Sequence, residues 1–336
     1  MILRRDLAKK IYALISLDRV EQALAEVENF ARGNALERIY VEPGLILFEK
    51  NQNQRELIGL ERLSLIKDLG ETLYVFEDIE RVEELYESIS LVRESIGRPE
   101  KLYIRVLREK YIKPDPSSIR RILEKSSTRD FKQDLSLSII VGDVIVIGRS
   151  FYRRKISSWR SPERDGSATM KDIDTRFMSS MISTEAGNTY DPFSGGGYLI
   201  YEVCKNGVRV IASDIDEKKI FRTRSLLEES GCVNYDLFVG DALKTPIRDG
   251  GIDAIVSDIP YGRRSKLISK HSSRALEKLI DEINRVLKSR GEAVIACSYE
   301  QWNDLRRVLD PRSIRSVSLQ YVHKSLYRVY VSFFKS

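Results

Sequence analysis

The spacing of apolar residues changes character once along the chain, near residue 170. Before that point, alternating stretches such as KLYIRVL predict strands, and stretches with apolar residues every three or four positions predict helices, among them RELIGLERLSLIKDLG over 55–70. Their order predicts two small layered α+β units, a ferredoxin-like unit over 1–80 and a second unit over 81–155.

From residue 176 to residue 336, strand and helix patterns alternate regularly. Apolar runs such as VRVIASDID and GIDAIVSDIP predict strands, and stretches such as RALEKLIDEINRVLKS have helical spacing. This alternation predicts a parallel, doubly wound sheet with helices on both faces. We therefore expect a Rossmann-like domain over 176–336, joined to the preceding units by a linker over 156–175.

The stretch RSFYRRKISSWRSPERDG, which begins at Arg149, breaks the periodicity and mixes cations with aromatic residues. Arg153, Arg154 and Arg160 can hold phosphates, and the neighbouring rings can stack on bases, as single-stranded nucleic-acid binding requires. A solvated linker is the alternative interpretation.

Composition narrows the class of protein only slightly. The 56 Lys and Arg residues exceed the 50 Asp and Glu, for a formal net charge of +6 and a mild preference for polyanionic partners. No apolar run approaches the ~20 residues of a membrane span, and charges interrupt the N-terminal apolar residues. We therefore expect no membrane partner and a cytoplasmic location.

The three cysteines, Cys204, Cys232 and Cys297, lie far apart and form no CxxC pair. We expect buried free thiols, neither a disulfide framework nor a zinc site. With only two histidines in the chain, the sequence predicts no metal centre.

A strand, a glycine-rich turn and a helix follow one another around DPFSGGG, which runs from Asp191 to Gly197. Gly195 and Gly197 allow the backbone to approach a ligand and to adopt positive φ. The dinucleotide fingerprint GxGxxG is absent, because neither Tyr198 nor Ile200 is a glycine. The turn therefore predicts a nucleotide-shaped site that differs from that of a NAD enzyme.

Acidic residues end the strands on either side of this turn. Asp214 can accept hydrogen bonds from both hydroxyls of a ribose, and Asp241, in VGDA, can accept from an adenine amine. With Asp191 they surround the expected cofactor with carboxylates, and no Lys is expected among them. Because the ammonium and sulfonium of S-adenosylmethionine (SAM) are cationic, this set favours SAM over NAD or ATP. A tight turn followed by helix-capping aspartates is the alternative.

The fourth strand ends in SDIPYG and raises the question of substrate. An exocyclic amine on a base becomes a better nucleophile when acceptors take its hydrogens, and Asp258 with the carbonyl of Ile259 or Pro260 can supply two acceptors. Pro260 stiffens the turn, and Tyr261 can stack on a base rotated out of its helix. The cations just beyond can hold flanking phosphates; they are Arg263 and Arg264.

Several of these segments resemble one family. DIPYG resembles the D-P-P-Y motif of methyltransferases that act on exocyclic amines, with Ile259 in place of the first proline. DPFSGGG is similar to D-P-F-C-G-T-G, with departures at Ser194 and Gly196, and VHKSLYRVYV over 322–331 is similar to an H-x-S-L-x-R element. Over its full length the chain resembles the archaeal THUMP-domain tRNA (guanine(10)-N2)-methyltransferase family.

The resemblance implies a Rossmann-like class I methyltransferase domain, preceded by a ferredoxin-like domain and a THUMP domain over 81–155. It implies SAM-dependent methylation of the N2 amine of a guanosine in tRNA, most closely the tenth nucleotide. It adds cofactor contacts at Phe193, Ser194, Ile215 and Ala242. It also adds contacts with the substrate, at His323, Ser325 and Arg328.

Two other functions stay open from the sequence. One is methylation of a guanine at another tRNA position, such as the acceptor stem. The other is a non-catalytic tRNA-binding protein with a decayed methyltransferase domain, which the departures at Ser194, Gly196 and Ile259 would permit. Eukaryotic relatives use a small activating protein subunit. The sequence leaves open whether this chain does, how many methyl groups it adds, which tRNAs it selects and what its oligomeric state is.

Overall fold

The computed structural model describes residues 1–50, 56–108, 111–126, 131–155, 170–183, 185–261, 272–323 and 326–335. At 131–134, 272 and 273 it describes the backbone alone. The chain divides into two compact units. The first comprises Met1–Ala23, Ala31–Leu57 and Ile66–Lys155, and the second comprises Leu24–Phe30, Ile58–Leu65 and Ile156–Ser336.

Within the described residues, the first unit contains an eight-stranded sheet. Its strands are β1 (Ile2–Leu3), β2 (Ile11–Ile15), β3 (Leu36–Glu42), β4 (Leu45–Lys50), β5 (Ile66–Glu77), β6 (Arg98–Val106), β7 (Phe131–Val141) and β8 (Ile145–Arg153). Seven lie in the order β3-β4-β2-β5-β8-β7-β6, and β1 pairs with β5. The pair β6 and β7 is parallel and the others are antiparallel. One sheet thus runs through both predicted α+β units, and the boundary at residue 80 stays a prediction.

The helices of the N-terminal half are α1 (Val20–Gly33), α2 (Val82–Ile96) and α3 (Pro116–Glu124), and Leu24–Phe30 of α1 belong to the second unit. Helix α2 buries Leu85, Ile89, Val92 and Ile96, whose spacing of three and four residues places them on one face. Helix α3 begins after Asp115, whose carboxylate accepts hydrogen bonds from the backbone N–H groups of the first turn. Both helices pack with β7 and β8 in one apolar core.

The segment 55–70, predicted as one helix, is not helical in its described part. A 3₁₀ turn covers Leu60–Arg62, and strand β5 begins at Ile66. The apolar residues of a short run fit a helix or a buried strand equally well. Pairing of β5 with β2 and β8 satisfies its backbone on both sides, so the long-range contacts decide the outcome.

The second unit confirms the predicted α/β alternation. Its sheet contains β9 (Asn188–Asp191), β10 (Arg209–Asp214), β11 (Tyr235–Val239), β12 (Ile252–Asp258), β13 (Leu287–Ser298), β14 (Ile314–His323) and β15 (Leu326–Phe334). The strand order is β11-β10-β9-β12-β13-β15-β14. The first five are parallel, whereas β15 is antiparallel to both of its neighbours. The strand order reverses at β9, where ligands of open α/β sheets bind.

Five helices accompany this sheet in the described part of the unit. They are α4 (Asp172–Ser180), α5 (Tyr198–Cys204), α6 (Glu217–Glu229), α7 (Ser272–Val286) and α8 (Tyr299–Val308). Helix α7 contributes Leu276, Leu279, Ile280 and Ile283 to a core that also contains residues of β12, β13 and β15. This core holds the strands in register and so fixes where each strand ends.

The expectation of three free thiols is wrong for two of them. Cys204, at the end of α5, forms a disulfide with Cys232, which follows α6, whereas Cys297 is free and buried. The sequence separation of 28 residues gave no indication of this pairing, because α5 and α6 become neighbours only through packing on the sheet.

None of the described helices combines the length and apolar character that a membrane crossing requires. In the same residues, no group of three or more His, Cys, Asp or Glu side chains has the arrangement of a metal site.

The disulfide generates a prediction about stability. Because the disulfide closes a loop of 28 residues, the Cys204→Ser variant should lose about 3.5 kcal/mol of unfolding free energy. Alkylation of the unfolded wild-type protein without reductant should modify one cysteine, and peptide mass spectrometry should identify Cys297. Modification of all three cysteines would show that the disulfide is absent.

Candidate functional site

The strand ends at the carboxyl edge of the second sheet bring three acidic residues together. Asp191 ends β9, Asp214 ends β10 and Asp258 ends β12. These strands are parallel neighbours of one another through β9, so their carboxyl ends share one edge of the sheet. The sequence-based expectation that these carboxylates form one cluster therefore matches the strand order.

The glycine-rich turn lies between β9 and α5. Gly195 and Gly197 have φ values of +56° and +83°, which side chains rarely tolerate. A Cβ atom at Gly197 would lie 2.9 Å from the Thr223 Cγ2 atom, so close packing on α6 also requires glycine there. The turn is anchored at Ser194, whose N–H donates to the Ser213 carbonyl at 2.9 Å.

The hydroxyl of Ser194 is buried and has no hydrogen-bond partner within the described residues. A buried hydroxyl without a partner costs free energy, so a polar ligand group at this turn would stabilise it. Phe193, beside it, is partly buried and packs against the core of the sheet. The backbone of Gly195 and Gly196 beside these residues is partly buried. Their contacts with a cofactor stay predictions.

Asp191 is buried, and two donors hold its carboxylate. Ser257 Oγ donates to Oδ1 at 2.6 Å, and the Phe193 N–H donates to the same oxygen at 3.0 Å. Burial raises the pKa of Asp191 to about 7, and the charges of Asp258 and Asp214 act in the same direction. A cation bound here would favour the ionised carboxylate.

Asp214 lies at the next strand end and is also buried. Its carboxylate accepts hydrogen bonds from the Gly195 N–H at 3.1 Å and the Asp216 N–H at 3.0 Å. Lys219 Nζ lies 3.3 Å from Asp214 Oδ2, which corrects the expectation that no Lys accompanies these carboxylates. Helix α6 begins at Glu217, and its first turn brings Lys219 back over the strand end.

The remaining predicted cofactor residues surround the same edge. Ile215 follows β10 and is 57% exposed, although it is a large apolar residue. Asp241 is exposed two residues after β11, and its carboxylate accepts from the Leu243 N–H at 2.9 Å. Ala242 is buried. Their contacts with a cofactor stay predictions.

Asp258 is partly buried and is held from its own turn. Tyr261 Oη donates to Asp258 Oδ1 at 2.5 Å. Burial raises the pKa of Asp258, while Arg328 and the Tyr261 hydrogen bond oppose that shift. The Ile259 N–H donates to the Ala296 carbonyl at 2.8 Å, which ties the turn to β13.

Gln301 also holds this turn, although no sequence motif connects the two. Gln301 Nε2 donates to the Pro260 carbonyl at 2.8 Å, while its Oε1 accepts from the Ser298 N–H at 2.9 Å. Gln301 caps α8 in a recognisable S-x-x-Q capping box, but its contact with Pro260 has no local signal.

Arg328 lies at this edge because β15 runs antiparallel to β13, with Arg328 opposite Ser298. Its side chain is only 6% exposed, and Nε donates to Tyr261 Oη at 2.6 Å. His323 ends β14, and its predicted role stays untested. The other predicted substrate contacts at this edge lie outside the described residues; they are Arg263, Arg264 and Ser325.

The first unit contains the start of the basic aromatic stretch. Strand β8 continues to Arg153, so this part is not a linker. Arg153 Nη2 donates to Asp68 Oδ2 at 2.8 Å and to Ser138 Oγ at 2.7 Å, and its guanidinium covers the Tyr103 ring at 3.4 Å. A buried carboxylate thus holds Arg153, while Arg160 lies outside the described residues.

Residues 183–324 match a family model described as a methyltransferase domain. This stretch contains the glycine-rich turn and all three strand-end carboxylates. A solved structure of a putative methyltransferase complexed with SAH aligns with a TM-score of 0.52 at 14% identity, over 98% of this chain and 98% of that chain. The second unit therefore has a Rossmann-like fold, and its residues 183–324 are similar to a methyltransferase domain.

Curated relatives narrow this class. A tRNA (guanine(10)-N2)-dimethyltransferase of Methanothermobacter thermautotrophicus is 31% identical over 156 residues, 46% of this chain and 46% of that protein. A protein of the same name from Pyrococcus abyssi is 24% identical over 323 residues, 92% of this chain and 93% of that protein. The match spans less than half the length of several relatives, the Methanothermobacter protein included. The chain is a homologue of these archaeal proteins, which confirms the resemblance seen in its motifs.

The raised pKa of Asp191 generates a prediction about stability. Between the ordinary carboxyl pKa and about 7, the unfolded chain releases this proton while the folded protein keeps it. The free energy of unfolding should therefore fall as pH rises through this window, and Asp191→Asn should reduce that decline. Urea unfolding at several pH values measures it.

The Ser257→Ala variant is a control in which the pKa of Asp191 should rise further. The Ser257 hydrogen bond lowers the pKa of Asp191, so its loss should extend the decline in stability to higher pH. An Asp191→Asn protein with the wild-type pH dependence would contradict the assignment of this group.

Proposed function

We propose that the protein transfers a methyl group from SAM to the exocyclic N2 amine of a guanosine in tRNA, most closely the guanosine at position 10. The observation that carries the proposal is the position of Asp258, in a D-I-P-Y turn, at the same sheet edge as Asp191 and Asp214. The archaeal homologues bear the corresponding name.

The residues of the glycine-rich edge fit SAM. The buried Asp191 and Asp214 supply negative charge for a cationic methionine moiety and acceptors for ribose hydroxyls, and the Ser194 hydroxyl offers an unused hydrogen-bonding group. When bound, SAM supplies an electrophilic methyl group on a sulfonium. Lys219 would have to share or release Asp214, since a ribose requires the same carboxylate.

Asp258 and the adjacent backbone fit the amine of the substrate. Oδ1 of Asp258 accepts a hydrogen bond from Tyr261, so Oδ2 would accept the hydrogen bond from the substrate amine. The Pro260 carbonyl accepts from Gln301, which favours the Ile259 carbonyl as the second acceptor. Two fixed acceptors would localise the nitrogen lone pair toward the methyl group, and proximity would supply the remaining rate enhancement.

A cluster of cations in the first unit supports binding of a polyanion. The Arg154 N–H donates to the Lys67 carbonyl at 3.0 Å, so these two residues are adjacent on β5 and just after β8. Burial and the charges of Arg105 and Arg154 lower the pKa of the Lys67 ammonium, while the charge of Asp18 raises it. Lys67, Arg105 and Arg154 are close enough to repel one another, and a bound phosphate backbone would relieve that repulsion.

Several finer predictions belong to the same proposal. Arg160, Arg263, Arg264 and Ser325 would contact tRNA, with His323 near the target base. A cytoplasmic location and a small activating subunit stay predictions as well.

The decisive experiment incubates the protein with tRNA transcript and SAM carrying a labelled methyl group, then maps the modified nucleotide. Label on N2 of G10 is expected. Label on another guanosine would show that the reaction is correct but that position 10 is wrong. SAM binding without methyl transfer would instead favour a non-catalytic tRNA-binding protein. Mass spectrometry of the nucleoside separates mono- from dimethylation.

Asp258→Ala should lower the single-turnover rate by at least about 10²-fold, because a preorganised acceptor is removed. SAM binding measured by calorimetry should stay close to wild type. Asp214→Ala should give the opposite pattern, a SAM dissociation constant raised by about tenfold or more, since two hydrogen bonds to a charged group are lost. Full activity of Asp258→Ala would remove it from the reaction.

The double variant Lys67→Ala and Arg154→Ala should weaken tRNA binding and reduce the slope of log affinity against log salt by about one to two. The double variant Arg4→Ala and Arg81→Ala is the matched control, with the same change in net charge. Those arginines already pair with Asp6 and Glu84. Equal slopes in both double variants would show that the cluster does not bind tRNA.

A further inference from the structure

A chain of polar side chains, which no sequence motif connects, leads from the interior of the second unit to Asp258. It starts at Asp174 on α4, passes through Arg328 on β15 and ends at the Tyr261 hydroxyl. Asp174 and Arg328 have side chains that are 2% and 6% exposed, so neither is a surface ion pair. Because removing two charges from water costs free energy, a buried ion pair adds little net stability and calls for another role.

Arg328 belongs to a ring of four side chains. Its Nη1 atom lies 3.6 Å from Asp174 Oδ2 and donates to Tyr330 Oη at 3.5 Å. Tyr330 Oη donates to Gln320 Oε1 at 2.6 Å, and Gln320 Nε2 donates to Asp174 Oδ1 at 3.3 Å. The ring fixes the guanidinium in position and orientation.

The Nε atom of Arg328 points out of this ring toward Tyr261. Because Nε–H donates to Tyr261 Oη, the hydroxyl proton is directed to Asp258 Oδ1. A hydroxyl has one donor and two acceptor sites, so the two contacts are compatible. The consequence is that Asp258 cannot rotate freely, and Oδ2 keeps one direction.

We propose that Arg328 is a positioning residue, held by Asp174, which fixes the Tyr261 hydroxyl on Asp258 and so aims the second carboxylate oxygen at the substrate amine. This inference rests on the proposed function and reassigns Arg328 from the tRNA to the protein. Asp174, Gln320 and Tyr330 act through Arg328 and touch no reactant.

The charges around Asp258 make the two ends of the chain distinguishable. Arg328 lowers the pKa of Asp258 and Asp174 raises it. The other groups facing it are Tyr261 in its own turn, Tyr330 on β15, Asp191 on β9 and Cys297 on β13. Removing the charge of Arg328 or of Asp174 should therefore move the titration of Asp258 in opposite directions.

The test compares Arg328→Gln, Arg328→Lys and Asp174→Asn in single-turnover methylation of tRNA across pH. All three should lose about 10²-fold in rate at saturating SAM and tRNA, because the acceptor is misplaced, with both dissociation constants close to wild type. The acid limb of the pH–rate profile, where the rate rises as Asp258 ionises, should move to higher pH in Arg328→Gln and to lower pH in Asp174→Asn. In Arg328→Lys, which keeps the charge but loses the fork, the limb should stay in place.

A matched control separates positioning from general stability. Glu292, in the middle of β13, and Arg315, on β14, form a buried ion pair at 2.9 Å in the same unit. Glu292→Gln should lower the melting temperature without moving the acid limb or the rate at saturation. If Arg328→Gln and Asp174→Asn behave like this control, or move the limb in the same direction, the proposal is wrong.

A measurement without tRNA tests the role of Arg328 independently of the proposed methyltransferase activity. Titration of the Asp258 carboxyl by ¹³C NMR in protein with labelled aspartate, assigned through Asp258→Asn, should show the same opposite displacements. A wild-type protein that methylates no tRNA would refute the proposed function. The NMR displacements would then still support the placement of Arg328, and their absence would overturn it.

Discussion

The structure of the second unit depends on how it accommodates carboxylates that parallel strands bring to one edge. Asp191 ends β9, Asp214 and Asp258 end the two strands that adjoin it, and each carboxylate is at least partly removed from water. Like charges in such a place repel one another and resist ionisation. Each of the three therefore requires its own set of donors, and the architecture around the edge can be understood as the provision of those donors.

The donors differ in kind from one carboxylate to the next. Asp191 receives a serine hydroxyl and a backbone N–H, and Asp214 receives backbone N–H groups and an ammonium. Asp258 receives a tyrosine hydroxyl whose partner is a buried guanidinium. Burial raises the pKa of Asp191 to about 7. Burial also raises the pKa of Asp258 above its ordinary value.

Contiguous sequence motifs predicted the strand-end aspartates of the site, but not the residues that packing brings to them. Asp191, Asp214 and Asp258 could be found because a strand end and its following turn are contiguous in sequence. Asp174 and Gln320 could not be found, since they are 146 residues apart and meet only through packing. For the same reason the disulfide was missed, and the first residues of β5, 66–70, were interpreted as part of a helix. Tyr330 lies two positions after Arg328 on one face of β15, a weak signal that only the known strand makes useful.

Gln301 uses both ends of its amide, one to begin a helix and the other to hold the backbone of the D-I-P-Y turn. Glutamate serves equally well at this position in most helices, because only the acceptor oxygen closes the cap. Here a carboxylate would keep the cap yet lose the donor, and it would place a negative charge against a carbonyl oxygen. An exchange that is conservative for α8 is therefore not conservative for the loop it adjoins, and a relative with Glu at this position would have to anchor its loop by other means.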